Sequence, residues 1–276
     1  MKKFFLFFTA TLLLASSCIN DKTTVTEHGS DVFKIGIAGY TYRSFSLDDA
    51  LDFVESLGVK YMSVKDFHLP LDASIDEMAV FKEKCASHGV NPYILGPIYM
   101  KTEEDVDRAF AYAERFGAKM FMGVPTYELL DYTIEKVRTT GIKLAIHTHG
   151  PDMPSFPDIR DVVSRVKDPS IGIGCCMDLG HSFRYGQNPA KDIVTYKDWI
   201  YDIHIKDETE PSAEGKTWEM GRGQMNIPAI MKALKKIGYQ GVVSVEFEKN
   251  SDTNPHNGVC ETVGYLRGVC DALYSK

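Results

Sequence analysis

The chain has 276 residues, of which 44% are hydrophobic and 25% charged, and its formal net charge is −7. This length and composition are typical of one large globular domain with a full core. An acidic chain lacks the clustered positive charge that contacts phosphate backbones, so we expect no nucleic-acid partner.

The N-terminus has the pattern of an export signal. Lys2 and Lys3 precede an apolar stretch, 4–14, that is too short to span a bilayer, and small residues and Cys18 follow it. The segment that ends at Cys18 resembles a bacterial lipoprotein signal, in which the cysteine is lipidated and becomes the new N-terminus. An ordinary signal peptide cut near Cys18 is the alternative. We therefore predict an exported protein, either periplasmic or anchored to the outer membrane only through a lipid on Cys18.

After a signal peptide over 1–18 and a flexible tether over 19–32, predicted strands and helices alternate eight times through a single domain, 33–276. Unbroken apolar strands are typical of a parallel sheet that is buried on both faces. Eight such units, with no GxGxxG after the first strand, predict a (β/α)8 TIM barrel rather than a Rossmann sheet. The predicted strands are 34–39, 59–67, 91–96, 118–124, 142–147, 171–178, 200–207 and 242–248. The predicted helices lie near 47–58, 74–88, 103–116, 127–140, 156–167, 189–198, 228–237 and 258–274.

Four metal-capable side chains lie at or near the ends of the last four predicted strands: His147, Asp178, His204 and Glu246. In a parallel barrel the C-terminal ends of all strands open onto one face, so ligands far apart in sequence can converge on one ion. Two imidazoles and two carboxylates suit Mn, Co, Zn or Fe better than Mg or Ca, which prefer oxygen ligands. We therefore predict a divalent-metal cofactor at these strand ends.

Five short motifs resemble those of one known superfamily. They are HTHGP (147–151), DLGH (178–181), HIKD (204–207), GRG (221–223) and SVEFE (244–248). In this order they are similar to the sugar phosphate isomerase/epimerase superfamily, the xylose isomerase-like TIM barrels, and the similarity extends over 34–274. The resemblance implies that Asp178, His204 and Glu246 bind the metal.

The fourth candidate ligand departs from the pattern of this superfamily. Many of its epimerases have a glutamate at the end of the fifth strand, which binds the metal and acts as one of two acid/base groups, whereas this chain has His147. Epimerisation by two facing bases is therefore less expected than isomerisation by one base, or β-elimination and hydration of a keto-sugar. In each case the metal acidifies a proton next to a carbonyl, and Glu246 moves that proton.

The predicted function is a divalent-metal-dependent enzyme of the isomerase/epimerase type that acts on an unphosphorylated sugar or keto-sugar. Export, and the lack of a Gly-rich phosphate cradle other than GRG, favour an unphosphorylated substrate. A lyase or hydratase that acts on a keto-sugar or 3-keto-glycoside at the same site is one alternative. A non-catalytic periplasmic sugar-binding lipoprotein is another, and a relative inactivated by the His147 replacement is a third.

Three further residues are candidates for the second proton transfer. His149 shares a strand face with His147, Lys206 shares one with His204, and Lys65 lies at the end of the second predicted strand. We predict His149 and Lys206 as catalytic residues beside Glu246. Both lysines are also compatible with pairing to a carboxylate or to the substrate.

Five residues are predicted to bind the substrate. The resemblance implies sugar contacts from His181 in DLGH and Arg222 in GRG. Lys65 and His68 follow the second strand, and Trp218 lies in a long loop, 207–227, that is placed to cover a sugar. A salt bridge within the loop is the alternative role for Arg222, and a cap or loop contact is the alternative for His68.

Overall fold

The computed structural model describes residues 33–249 and 254–274. The predicted signal peptide, the predicted lipidation site at Cys18 and the predicted tether lie outside these residues. Among the helices of the described ranges, none is long and apolar enough to cross a bilayer.

Eleven strands are present in the described ranges, and nine of them form one parallel sheet in the order β3-β2-β1-β11-β8-β7-β6-β5-β4. The strands are β1 Lys34–Ile37, β2 Tyr61–Val64, β3 Asn91–Leu95, β4 Ile98–Met100, β5 Met120–Pro125, β6 Lys143–His147, β7 Ile173–Asp178, β8 Ile200–Ile205, β9 Asp207–Glu208, β10 Thr217–Trp218 and β11 Val242–Val245. The remaining two, β9 and β10, pair with each other as a short antiparallel ladder.

The sheet closes almost completely into a barrel. Its two outermost strands, β3 and β4, are consecutive pieces of one segment separated only by Gly96 and Pro97. Counted together they leave eight parallel strands, so the predicted TIM barrel is confirmed. The break at Gly96 was not predicted. A Cβ there would lie 2.1 Å from the Met122 carbonyl oxygen, and φ is +112°, so only glycine fits this close crossing.

Nine α-helices in the described ranges surround the sheet. They are α1 Leu47–Ser56, α2 Ile75–Ser87, α3 Glu103–Phe116, α4 Leu130–Thr140, α5 Ile159–Val166, α6 Leu179–Arg184, α7 Pro189–Thr195, α8 Ile227–Ile237 and α9 His256–Tyr274. The side chains of Ser46, Ser74, Thr102 and Asp158 accept backbone N–H groups in the first turns of α1, α2, α3 and α5. The short helix α6 is additional to the prediction, and Asp178 caps it in the same way.

Apolar residues fill two regions of the barrel. The helices pack an apolar stripe against the outer face of the sheet, and in α3 this stripe is Val106, Ala109, Phe110 and Ala113. A separate buried cluster inside the barrel comes from four strands and consists of Ile94, Met122, Ala145 and Cys176. The polar residues at the strand ends therefore rest on a packed interior.

Candidate metal centre and active site

Four adjacent strands place the predicted metal ligands side by side. His147 ends β6, Asp178 ends β7, His204 is the next-to-last residue of β8, and Glu246 directly follows β11. These strands are neighbours in the sheet, and Asp178 is in register with His204. Because parallel strands end at the same rim, the side chains meet there.

The four side chains form one buried cluster. His147 Nε2 lies 3.0 Å from His204 Nδ1, 3.8 Å from Asp178 Oδ2 and 3.6 Å from Glu246 Oε2. His204 Nδ1 lies 3.3 Å from Glu246 Oε1. One ligand atom from each residue lies within 4.8 Å of the others, and none of the side chains is more than 3% exposed. The geometry brings the predicted quartet together.

Lys206 is fully buried against this cluster. Its Nζ lies 3.0 Å from Asp178 Oδ2 and 2.9 Å from Glu246 Oε2, and it also contacts the carboxylate of Glu248. The side chain passes directly over Gly180, where a Cβ would lie 2.3 Å from Lys206 Cγ. The glycine of the DLGH motif therefore provides the space through which Lys206 reaches the carboxylates.

The charges of Lys206 and Glu246 depend on each other. Burial by itself would lower the pKa of Lys206, but Asp178 and Glu246 raise it well above its usual value. Burial by itself would raise the pKa of Glu246, but Lys206 and His204 lower it well below its usual range. At neutral pH, Lys206 is therefore an ammonium and Glu246 a carboxylate.

The donor set fits a divalent cation. Lys206 is a single cationic group among the three carboxyl groups of Asp178, Glu246 and Glu248, and burial raises the pKa of Asp178 well above its usual value. A divalent cation would supply positive charge where these acidic groups are buried. Burial lowers the pKa of His147 to about 4, so its imidazole is neutral and offers a nitrogen lone pair. His147, Asp178, His204 and Glu246 would hold the ion.

A cavity of about 670 Å³ opens onto this cluster. Six of the predicted site residues line it: Lys65, His147, His149, His181, Trp218 and Glu246. The other predicted residues of the centre, Asp178, His204 and Lys206, are not on the wall but contact His147 or Glu246 from within the barrel. A ligand in the cavity would therefore face Glu246 and the imidazole of His147.

Two histidines form a stacked pair on the wall. The rings of His149 and His181 are 5.6 Å apart, and His149 Nε2 lies 2.9 Å from the Tyr99 hydroxyl. Burial lowers the pKa of His149 to about 3 and that of His181 well below its usual value. Both imidazoles are therefore neutral groups that can hydrogen-bond to hydroxyls.

Lys65 and Trp218 both line the cavity, but they differ in burial and in their contacts with the protein. Lys65 is buried, and its Nζ donates to the Pro97 carbonyl at 2.7 Å and lies 5.6 Å from the centre of the Tyr99 ring. Trp218 is 39% exposed, and Lys249 Nζ lies 4.8 Å from its ring. Lys65 is thus held by the protein, whereas Trp218 presents an apolar surface to a ligand.

Two predicted substrate-binding residues do not line the cavity. His68 is buried, and its Nε2 lies 3.3 Å from the Phe45 carbonyl oxygen, a contact within the loops. Arg222 is exposed, and its guanidinium forms a two-point pair with Glu261 of α9. In this conformation their partners are protein groups.

Several residues that line the cavity were not among the site residues predicted from the sequence. Tyr99 lies in β4, beyond the Gly96–Pro97 break, and nothing in the sequence pattern marks it. Glu208 and Glu248 each follow a predicted site residue by two positions, Lys206 and Glu246, so strand alternation would have placed them on the same face. Arg184, Tyr40 and Arg43 come from loops and short helices.

Asp207 organises the loop that contains GRG. Its carboxylate accepts backbone N–H groups from Glu208 at 2.9 Å, Gly221 at 2.8 Å, Gly223 at 3.0 Å and Met225 at 3.0 Å. A Cβ on Gly223 would lie 2.3 Å from Asp207 Oδ1. The aspartate of HIKD and the glycines of GRG therefore serve one function, which is to fold this loop.

Comparison with known proteins identifies the family. A family model described as a xylose isomerase-like TIM barrel matches residues 51–269. The nearly closed parallel sheet and the cluster of candidate metal ligands at its rim agree with that class of enzyme. The chain belongs to the xylose isomerase-like TIM barrel family.

Three curated relatives match parts of the chain. An inosose dehydratase of Lacticaseibacillus casei is 22% identical over 232 residues, which are 78% of this chain and 66% of the relative. A mannonate dehydratase of Brachyspira hyodysenteriae is 30% identical over 147 residues, 45% of this chain and 40% of the relative. An uncharacterized protein of Methanocaldococcus jannaschii is 28% identical over 127 residues, 44% of this chain and 42% of the relative. The chain spans less than two thirds of the length of each.

Solved structures share the fold over almost their whole length. An uncharacterized protein from Parabacteroides distasonis is 25% identical with a TM-score of 0.64, covering 86% of this chain and 98% of that one. A sugar phosphate isomerase/epimerase from the same species is 16% identical with a TM-score of 0.66, covering 92% and 98%. A xylose isomerase-like TIM barrel protein from Mycobacterium smegmatis, in complex with magnesium, is 16% identical with a TM-score of 0.64, covering 88% and 98%.

Proposed function

We propose that this protein is a divalent-metal-dependent enzyme that removes a proton next to the carbonyl of an unphosphorylated keto-sugar and then eliminates the substituent on the next carbon, as a dehydratase or lyase. The observation that carries the proposal is the placement of Glu246. Its carboxylate lines the cavity, contacts Lys206 at 2.9 Å and adjoins both imidazoles of the quartet. Of the two carboxylates in the candidate quartet, Glu246 is the one that also lines the cavity.

Glu246 is positioned to act as the base. A bound divalent cation would acidify the proton next to the carbonyl and stabilise the negative charge that develops on the carbonyl oxygen. Lys206 keeps Glu246 ionised until it accepts the proton, and afterwards donates a hydrogen bond to it. His149 and His181 are neutral and lie on the same wall, where they can orient substrate hydroxyls.

Two considerations favour elimination as the outcome. The inosose and mannonate dehydratases among the relatives are named for reactions that remove water. His147 also occupies the position at which a second acid/base glutamate would allow epimerisation. Isomerisation after the same proton abstraction is the second candidate, and it is favoured by the named isomerase/epimerase among the similar structures.

The proposed substrate class follows from the site and from the predicted export. A cavity of about 670 Å³ is within the range of roughly 300–1,000 Å³ that is usual for small-molecule sites. The signal predicted over 1–18 would place the protein outside the cytoplasm, where free sugars and glycosides rather than sugar phosphates are the expected substrates. Export and lipidation of Cys18 form part of this proposal.

The test is deuterium exchange. Purified protein loaded with Mn²⁺ is incubated in D₂O with a panel of free sugars, inosose and methyl 3-keto-glucopyranoside, and NMR follows deuterium incorporation and product. Glu246→Gln should lower both by about 10²- to 10⁴-fold while retaining most of the bound metal. Glu135→Gln, which removes an exposed carboxylate on α4, is the matched control. Normal exchange in Glu246→Gln would contradict the proposal, and binding without exchange in the wild-type protein would support a sugar-binding protein instead.

A further inference from the structure

Glu208 is a buried carboxylate on the cavity wall. It is 1% exposed and lines the cavity together with Glu246 and Glu248. Three contacts fix its backbone: β9 pairs it with Thr217 of β10, its N–H donates to Asp207, and its carbonyl accepts from Gln224 at 2.8 Å. The side chain is therefore held on a folded hairpin and not on a free loop.

The two carboxylate oxygens of Glu208 have different surroundings. Oε1 accepts a hydrogen bond from the Thr217 hydroxyl at 3.1 Å. Oε2 is buried and has no hydrogen-bond partner among the described residues. A buried carboxylate oxygen without a partner is costly unless it is protonated or bound by a ligand. Glu208 lines the cavity, so a substrate hydroxyl is a partner that this buried oxygen could gain when a ligand binds.

Glu208 also lies close to the reacting groups. A Cβ on Gly180 would be 2.3 Å from Lys206 Cγ and 3.1 Å from Glu208 Oε1, so both side chains pack around this glycine. Lys206 itself is engaged by three carboxylates and has its ammonium directed to Asp178, Glu246 and Glu248. Glu208 is not among these contacts, so Lys206 does not occupy the unpartnered oxygen of Glu208.

We propose that Glu208 is the general acid of the elimination, a role that rests on the proposed function above. Glu246 removes the proton from the carbon next to the carbonyl, and that C–H electron pair becomes the new C=C bond. The C–O bond on the adjacent carbon breaks, and its electrons remain on the oxygen. Glu208 Oε2 gives its proton to that oxygen, which leaves as water or as an alcohol. Proton exchange with solvent then returns Glu246 to a carboxylate and Glu208 to an acid.

The electrostatics of Glu208 agree with this role. Burial raises its pKa above the usual value, and Lys206 offsets only part of that effect. A raised pKa is the direction in which an acid catalyst must differ from an exposed glutamate.

The experiment separates the two proton transfers. Glu208→Gln keeps an oxygen that can accept from Thr217 but has no acidic proton. With methyl 3-keto-glucopyranoside and inosose as probes in D₂O, this variant should still exchange deuterium next to the carbonyl, while formation of the elimination product falls by about 10²- to 10⁴-fold. Glu210→Gln, an exposed carboxylate two residues further along, is the matched control. Metal content and the thermal melting curve verify that each variant is folded.

The possible outcomes have distinct meanings. Product formation at the wild-type rate in Glu208→Gln would overturn the role of Glu208 and leave the proposed function standing. Equal losses of exchange and elimination would also overturn it, because they would indicate a role before proton abstraction. Elimination that is lost in His149→Gln and retained in Glu208→Gln would assign the acid to His149. Wild-type protein that exchanges deuterium into neither probe would contradict the proposed function itself.

Discussion

His147 Nε2 and His204 Nδ1 face each other at 3.0 Å across the end of the barrel, with Glu246 within 3.6 Å of both. Two imidazole nitrogens this close must share either a proton or a cation. The neighbouring carboxylates favour a cation. The pair therefore marks the position at which a metal would be bound.

Removal of His147 should release the metal. His147→Gln replaces an imidazole nitrogen by a neutral amide, a weak ligand for Mn or Zn, whereas the amide of Glu246→Gln keeps an oxygen where the carboxylate ligand was. We therefore expect elemental analysis to show well below one divalent ion per chain in His147→Gln and about one in the wild-type protein. A metal that binds only the folded state at about 100 times its Kd adds about 2.7 kcal/mol of stability. EDTA should therefore lower the melting temperature of the wild-type protein but leave that of His147→Gln unchanged. His68→Gln, another buried histidine outside the cavity, is the control. Full metal content in His147→Gln would remove it from the ligand set.

The identity of the metal is a separate prediction. Two nitrogen ligands favour Mn, Co, Zn or Fe over Mg or Ca, because the last two prefer oxygen donors. After metal-free protein is dialysed against an equimolar mixture of Mn²⁺, Zn²⁺ and Mg²⁺, elemental analysis should show Mn or Zn in excess of Mg. Preferential retention of Mg would show that the histidines are not the dominant ligands.

Gly180 should be intolerant of a side chain. In Gly180→Ala, a methyl group would lie 2.3 Å from Lys206 Cγ, so the lysine must move away from Glu246. Overpacking of this kind typically costs about 1–3 kcal/mol of stability. We expect the free energy of unfolding, measured by chemical denaturation, to fall by that amount. The activation free energy of turnover, measured by the D₂O assay, should rise by at least as much. Gly264→Ala, on an exposed face of α9 with no atom within 4 Å, should be neutral or stabilising by about 0.5–1 kcal/mol. Equal activity in the two variants would show that catalysis does not depend on the position of Lys206.

The cluster of candidate metal ligands could be predicted because its position depends on a local pattern and a simple rule. A polar residue at the end of an apolar strand can be recognised in the amino-acid sequence, and a parallel barrel brings all such strand ends to one rim. His147, Asp178, His204 and Glu246 needed no knowledge of loops. The barrel itself was predicted for the same reason, since eight alternating units leave few other ways to bury both faces of the sheet.

The rest of the site depends on contacts between distant segments. Tyr99 reaches His149 only because the chain crosses β5 closely at Gly96, and no periodicity records that crossing. Glu208 was read as part of a long loop, whereas β9 and β10 form a hairpin that directs it to the cavity. The backbone around Arg222 is fixed by hydrogen bonds from the N–H groups of Gly221 and Gly223 to the Asp207 carboxylate. Its guanidinium pairs with Glu261, 39 residues away. Such long-range pairings cannot be read from spacing.

Arg222 provides a test of whether a motif residue acts through the substrate or through the loop. Its side chain is 59% exposed and paired with Glu261, so Arg222→Ala should cost only about 0–1 kcal/mol of stability, and Glu261→Ala about the same. If this pairing persists during turnover, KM changes little in either variant, as in Arg165→Ala, which removes a similar exposed pair with Asp131. The measurement is steady-state kinetics with the substrate identified in the D₂O panel. A tenfold or greater rise in KM for Arg222→Ala alone would show that the guanidinium leaves Glu261 for the sugar, as the GRG motif implies, because loss of the surface pair by itself would affect both single variants equally.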